Sequence, residues 1–149
     1  MAGHKVAVQW KRDREDFEYQ TYTRNHMWNF EGGTTVEASA APAYLGDGEK
    51  IDPEQALVAS LSSCHMLTFL AVAAMKRFAV DSYEDEAVGF LEKNAEGKLA
   101  LTRVELRPRI VFSGERQPTT DQIDELHRIS HAECFIANSV KTEVVVATR

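Results

Sequence analysis

The sequence predicts an α+β domain in which a largely antiparallel sheet packs on two principal helices. Three observations indicate this class: strand-like segments open the chain, a long apolar helix occupies its middle, and alternating strands followed by an amphipathic helix fill the second half. A chain of 149 residues is long enough for one shared core and short for two. We therefore expect a single domain spanning residues 1–149.

The opening strands are predicted from short apolar and polar runs that are separated by turn residues. These runs are Lys5–Trp10, Phe17–Tyr22, Trp28–Phe30 and Thr34–Ala38. The turn between the first two runs is wholly charged, and Gly32-Gly33 supplies the backbone freedom that a hairpin needs. The segment therefore predicts an antiparallel meander, which a loop over residues 40–50 follows.

The central helix has a strong start signal. Asp52 can cap the first turn, Pro53 fits that turn, and Glu54 favours the positive end of the helix dipole. We expect the helix to run to about Arg77. Its apolar character on nearly every face predicts burial on most sides, which in so small a domain suggests cover from a second subunit. Five polar side chains argue against a membrane span: Ser60, Ser62, Ser63, His65 and Thr68.

Two strand patterns follow the central helix. Residues 78–94 predict a strand with a charged interruption. Apolar and charged side chains then alternate over residues 103–112, which predicts one strand with a buried face and a wet face. Pro108 falls on the buried face, so we expect this strand to lie at an edge or to be bulged there.

A second helix should begin at Thr119 and end near Cys134, and residues 143–147 predict a short closing strand. His127 and His131 lie four residues apart on that helix, so both imidazoles could face one ion. Because their neighbours are charged, a solvated helix face is the favoured interpretation. No four-ligand zinc spacing is present, and we expect no metal.

Charge and the N-terminal sequence limit the partners and the location of the protein. The formal net charge of −6 argues against nucleic acid as a ligand, since phosphate binding needs clustered Lys and Arg. The N-terminus has no apolar signal region, so we expect a cytoplasmic protein that does not bind a membrane.

The two cysteines, Cys64 and Cys134, carry the chemistry that the residues suggest. Free cysteines are most often small buried hydrophobes, so packing is the plain interpretation for each. Cytosolic thiols are kept reduced, so a disulfide between them would more readily be catalytic or redox-sensing than structural. Together they are the minimum set for a two-cysteine cycle, in which one thiolate becomes a sulfenic acid and the other condenses with it.

A nucleophilic Cys64 would need a nearby cation, because only the thiolate is a good nucleophile. The candidate arginines are Arg12, Arg14, Arg24 and Arg103. Arg24 is favoured because it interrupts an aromatic strand region rather than a polar turn. Glu54 lies ten residues before Cys64 and about 15 Å away along the helix axis, so a long cation would have to bridge them in one site.

At these residues the sequence resembles the OsmC/Ohr family of thiol peroxidases, and its motifs are closer to those of the OsmC-like branch. The resemblance covers most of the chain, and its specific parts are residues 52–66 and 134–140. It implies an intertwined homodimer with the cysteine helix at its centre and active sites at the subunit interface.

The resemblance also implies roles for individual residues. Cys64 would be the peroxidatic cysteine and Cys134 the resolving one, while Glu54 would hold an arginine, here Arg24, over the thiolate. No metal, haem or flavin is implied. The electron donor would be an external dithiol, which in the Ohr branch is a lipoylated protein.

These observations predict a thiol-dependent peroxidase that reduces small hydroperoxides. Apolar walls at Met66, Phe69 and Phe135 would favour organic hydroperoxides over hydrogen peroxide. Two alternatives stay open. One is a dimeric module that binds a small apolar ligand and whose cysteines are incidental, and the other is a redox sensor that shares the thiol chemistry.

Overall fold

The computed structural model describes residues 1–147, and the chain forms two compact units, Met1–Ala56 and Leu57–Arg149. Helices and strands are combined as the α+β prediction requires, and that class is confirmed. Within residues 1–147 the strands form three small sheets rather than the single large one expected. The single-domain interpretation stays a prediction.

The N-terminal unit contains an antiparallel meander of strands β1 (Val6–Gln9), β2 (His26–Phe30) and β3 (Thr35–Ala38). A positive φ at Gly32 and Gly33 closes the turn between β2 and β3, as the paired glycines predict. A short 3₁₀ turn, Pro42–Tyr44, follows in the expected loop.

The strand predicted over residues 17–22 does not form, and this part of the sequence interpretation is wrong. The backbone N–H groups of Thr21 and Tyr22 both donate to the carbonyl of Glu18, which closes a turn. The aromatic rings of Phe17 and Tyr22 instead pack on Trp10, with ring centroids 5.8 and 6.2 Å from the indole. Aromatic clustering therefore accounts for an apolar alternation that otherwise resembles a strand.

Helix α1 spans Pro53–Met75, close to the predicted bounds. The backbone N–H of Gln55 donates to the Asp52 carboxylate at 2.8 Å, and the Gln55 side chain accepts from the Asp52 N–H at 3.0 Å, so the two residues form a capping box. By length and composition alone α1 could cross a membrane, a test that the core helix of a soluble protein also passes. Ser62 and His65 of α1 form hydrogen bonds with other elements of the protein, as polar side chains of a core helix do.

The second unit contains two further sheets. Strands β4 (Ala79–Asp85) and β7 (Pro108–Ser113) pair antiparallel. Strand β6 (Leu99–Leu106) pairs antiparallel with β5 (Val88–Lys93) and parallel with β8 (Glu143–Val146). The closing strand is confirmed, whereas residues 78–94 form two strands that belong to different sheets.

The strand expected through residues 103–112 is divided at Arg107. Its first half lies in β6 and its second half in β7, so the chain passes from one sheet to the other at this point. The Asp85 carboxylate accepts the backbone N–H of Arg107 at 2.6 Å and thus satisfies a donor that neither sheet uses. Pro108 starts β7, a position that tolerates the missing N–H.

Helix α2 spans Thr120–Glu133 and has the predicted bounds. Thr119 and Gln122 form a capping box at its start, and Cys134 is the C-terminal cap residue. Two buried clusters hold the second unit together. One contains Phe69, Val72, Ala73, Phe78 and Leu126, and the other contains Leu61, Val104 and Leu106. At Gly89 of β5, a Cβ atom would lie 2.5 Å from the Val58 side chain, so the strand contacts α1 directly and only glycine fits.

Candidate active site

The thiols of Cys64 and Cys134 lie close enough for Cys64 to raise the pKa of Cys134. Cys64 comes from the middle of α1, and Cys134 comes from the residue that caps α2. Residues seventy positions apart in sequence therefore meet, as a two-cysteine cycle requires. Both are free thiols in this structure.

The two sulfur atoms have unequal surroundings. Cys64 is half-buried, whereas Cys134 is 1% exposed. Burial, followed by the hydrogen bond with Cys64, raises the pKa of the Cys134 thiol, while the Ala137 N–H that donates to its Sγ at 3.4 Å acts in the opposite direction. Cys64 is thus the thiol that an external molecule can reach, and Cys134 is held behind it.

A pair of imidazoles connects the same two helices. Nε2 of His65 lies 3.0 Å from Nδ1 of His127, and the rings stack with centroids 5.3 Å apart and planes 14° apart. Phe69 contacts His127 from the next turn of α1, at 4.7 Å between centroids. The predicted solvated face is therefore wrong for His127, which packs on α1. It holds for His131, which is exposed.

Burial affects the protonation of both rings. Burial first, and then the nearby His127 and His131, lower the pKa of His65 to about 4. Burial also lowers the pKa of His127, while Asp124 and Asp85 act in the opposite direction. The pair is therefore neutral at pH 7, and one ring donates the shared hydrogen bond to the other.

Asp85 at the end of β4 is a second polar junction on α1. Its Oδ2 accepts a hydrogen bond from the Ser62 hydroxyl at 2.5 Å, and its Oδ1 accepts the Arg107 N–H. The contact fixes α1 two residues before Cys64 against the point where β6 leads into β7. A half-buried carboxylate that accepts two donors in this way is satisfied without a cation.

Arg24 and Glu54 line one cavity of about 400 Å³ in the N-terminal unit, together with aromatic residues that include Trp10, Phe17 and Tyr22. The guanidinium of Arg24 lies 3.6 Å from the centroid of the Tyr22 ring. It donates to the carbonyl oxygens of Tyr22 and Tyr19 at 2.6 and 2.7 Å. The indole N–H of Trp10 donates to the Thr23 carbonyl at 2.8 Å and so holds the segment that carries Arg24.

The expected ion pair between Glu54 and Arg24 is not formed within residues 1–147. The guanidinium instead donates to two backbone carbonyls and lies over a tyrosine ring. The two charged groups nevertheless face the same cavity, and the pairing stays a prediction.

The predicted substrate pocket needs one correction. Phe69 is fully enclosed in the core with Leu126 and Phe78, so it cannot be a wall that substrate contacts. The apolar character of Phe69 suggested a pocket wall without showing that this side chain faces the core. Met66 is half-buried and Phe135 is 81% exposed, and their proposed contacts with substrate stay predictions.

No group of three His, Cys, Asp or Glu side chains within residues 1–147 is arranged to hold a metal ion. Sequence reasoning missed the His65–His127 bond and the ring cluster around Trp10. A signal existed for the first: His65 is a polar residue on the most apolar helix, and a buried imidazole needs a partner.

The chain matches a family model described as OsmC-like protein over residues 46–149. A solved OsmC-like protein of unknown function from Vibrio cholerae O1 is 50% identical, has a TM-score of 0.94, and the match covers 99% of each chain. No curated protein sequence matches.

Two more distant structures share the fold. An organic hydroperoxide resistance protein OsmC from Legionella pneumophila is 16% identical with a TM-score of 0.73, covering 99% of this chain and 98% of that one. The organic hydroperoxide resistance protein OhrB of Bacillus subtilis is 15% identical with a TM-score of 0.68 and the same coverage. The family model and the half-identical structure together confirm the resemblance seen in the sequence: this chain belongs to the OsmC-like protein family.

Proposed function

We propose that the protein is a thiol peroxidase that reduces organic hydroperoxides, with Cys64 as the attacking thiol and Cys134 as the resolving thiol. The observation that carries this proposal is the contact between a half-buried thiol and a fully buried one. An accessible sulfur suits attack on an external substrate, and a buried sulfur beside it suits the step that follows.

In the first step the Cys64 thiolate attacks the terminal oxygen of the hydroperoxide. An S–O bond forms, the O–O bond breaks, and the alkoxide leaves as an alcohol after taking a proton. Cys64 is then a sulfenic acid. In the second step the Cys134 thiol displaces the hydroxyl, which leaves as water, and a disulfide forms. An external dithiol, in this proposal a lipoylated protein, reduces the disulfide by exchange.

Arg24 and Glu54 complete the proposed site. Arg24 would stabilise the Cys64 thiolate and the charge that develops on the peroxide, and Glu54 would orient Arg24. Their shared cavity in the N-terminal unit and its aromatic walls support the pairing. The assignment of Arg24 to Cys64 itself rests on the family resemblance.

The choice of organic hydroperoxides is supported by the fold, which the chain shares with proteins named organic hydroperoxide resistance proteins. A cytoplasmic homodimer is part of the same proposal. Apolar side chains at helical spacing on α1 are exposed in the single chain, with Leu67 at 61% and Met75 at 75%, and a second copy would cover them.

The test is consumption of cumene hydroperoxide by the purified protein with a dithiol donor. We expect turnover by the wild type and none by Cys64→Ser. The matched control is Cys134→Ser, which should still consume one peroxide per chain and retain one oxygen atom. Undiminished turnover by Cys64→Ser would refute the proposal. If the protein does not react with peroxide and carries a bound apolar molecule, the binding module is favoured. If it is oxidised only once and the oxidation changes only the binding of a partner, the redox sensor is favoured.

A further inference from the structure

We infer that His65 and His127 are positioning residues that hold the Cys64 and Cys134 thiols together and thereby set the efficiency of disulfide formation. The inference rests on the proposed function for its biological meaning. The contacts that support it lie wholly within the second unit, and none of the catalytic assignments above uses either imidazole.

The two histidines lie on the same two helices as the cysteines. His65 directly follows Cys64 on α1. His127 precedes Cys134 by seven residues, close to two full helical turns, so the imidazole and the thiol lie on the same face of α2. The His65–His127 hydrogen bond therefore joins α1 to α2 one residue after Cys64 on α1 and about two turns before Cys134 on α2.

The contact between His65 and His127 is enclosed by the protein. His65 is 1% exposed, and its bond to His127 is the one polar contact recorded for its ring within residues 1–147, since Nδ1 has no partner there. The His127 ring is stacked on His65 and contacts Phe69, so it packs against two successive turns of α1. Breaking this bond leaves a buried polar group unsatisfied, which costs more than an exposed bond would.

The two reaction steps depend differently on how α1 and α2 are held together. Attack of Cys64 on peroxide does not require Cys134 to approach. Condensation of the sulfenic acid with Cys134 forms an S–S bond and releases water, and it needs the two sulfur atoms from two helices to approach. A hydrogen bond that joins those two helices therefore acts on the second step and leaves the first unchanged.

The test measures the thiol pair without peroxide. Full-length protein is equilibrated in mixtures of oxidised and reduced glutathione, quenched in acid and alkylated, and the disulfide fraction is read by intact mass. His127→Ala removes the bond and the stack, and His127→Phe keeps the ring but not the bond. His127→Asn places an amide near the position of Nδ1. The matched control is His131→Ala, one turn further along α2.

We expect the effective concentration of the thiol pair to fall by about tenfold or more in His127→Ala and His127→Phe. His127→Asn should recover part of the loss, and His131→Ala should stay within about twofold of wild type. Equal values for all four variants, or an equal loss in His131→Ala, would overturn the inference. If His127→Ala does not fold by circular dichroism, His127→Phe and His127→Asn decide the result.

A second arm separates this inference from the proposed function. After rapid mixing with cumene hydroperoxide, the sulfenic acid should form in His127→Phe at the wild-type rate, while the disulfide forms about tenfold more slowly and sulfinic acid accumulates. Equal slowing of both steps would overturn the inference. A wild type that is inert to peroxide would remove the proposed function, and the glutathione equilibrium would still decide the role of the imidazoles.

Discussion

The two units of this protein carry their polar groups in different ways. In the second unit, neutral or mutually satisfied groups meet across elements: Cys64 with Cys134, His65 with His127, and Ser62 with Asp85. In the N-terminal unit, Arg24 and Glu54 share a cavity but no ion pair, and backbone carbonyls hold the guanidinium. The difference shows that packing within the second unit holds the two thiols together. In the N-terminal unit, by contrast, the two charged groups face one cavity without forming an ion pair.

The largest effect expected on stability concerns the buried imidazole. The unfolded state protonates His65 near its ordinary pKa of 6.5 and the folded state only near 4, so stability is fully present above pH 6.5 and is lost as pH falls towards 4. The loss amounts to about 3 kcal/mol. Urea unfolding from pH 7 to pH 4 should show this excess loss in wild type relative to His65→Gln.

His4→Gln is the control for that series, because His4 is exposed at the N-terminus. Carboxylates titrate in the same range and affect all three proteins alike, so the comparison isolates His65. Parallel stability curves for wild type and His65→Gln would show that His65 is not held neutral by burial.

The next effect concerns the cavity of the N-terminal unit. Arg24→Met should lower kcat/KM for cumene hydroperoxide about 100-fold, because it removes the charge that stabilises the thiolate and the departing oxygen. Glu54→Gln should lower it less, since it only releases Arg24. Arg12→Met is the matched control and should behave as wild type, because Arg12 lies in the exposed charged turn. Full activity in Arg24→Met would show that another residue supplies the cation that stabilises the thiolate.

A smaller effect is expected at the carboxylate junction. Asp85→Asn weakens the bonds to the Ser62 hydroxyl and to the Arg107 N–H, so the free energy of unfolding should fall by about 2 kcal/mol. The comparison variant is Asp81→Asn, in the same strand, where the hydrogen bond to Ser113 is exposed and a loss of about 0.5 kcal/mol is expected. Equal losses in the two variants would mean that burial does not strengthen the Asp85 junction.

The smallest effect is expected at Trp10. Trp10→Phe keeps an aromatic ring beside Phe17 and Tyr22 but loses the donor to the Thr23 carbonyl, which should cost about 1 kcal/mol and lower peroxidase activity several-fold. The activity loss should vanish in the Arg24→Met background if Trp10 acts through Arg24. An additive loss would separate the two residues.

Local signals explain what the sequence could predict. Asp52 and Thr119 cap their helices through side chains three residues away, so both starts were predictable from adjacent residues. The division at Arg107 and the turn over residues 17–22 were not, because they depend on Asp85 and Trp10 at distant positions. The cysteine pair was predictable as a family motif. The hydrogen bond between His65 and His127 was not, because it depends on how α2 packs on α1.

The most direct test of the account is the intact mass of wild-type protein after one equivalent of cumene hydroperoxide. We expect the loss of two hydrogens, from a disulfide between Cys64 and Cys134, and the gain of one oxygen in Cys134→Ser. An unchanged mass in wild type, with both thiols still open to alkylation under denaturing conditions, would contradict it.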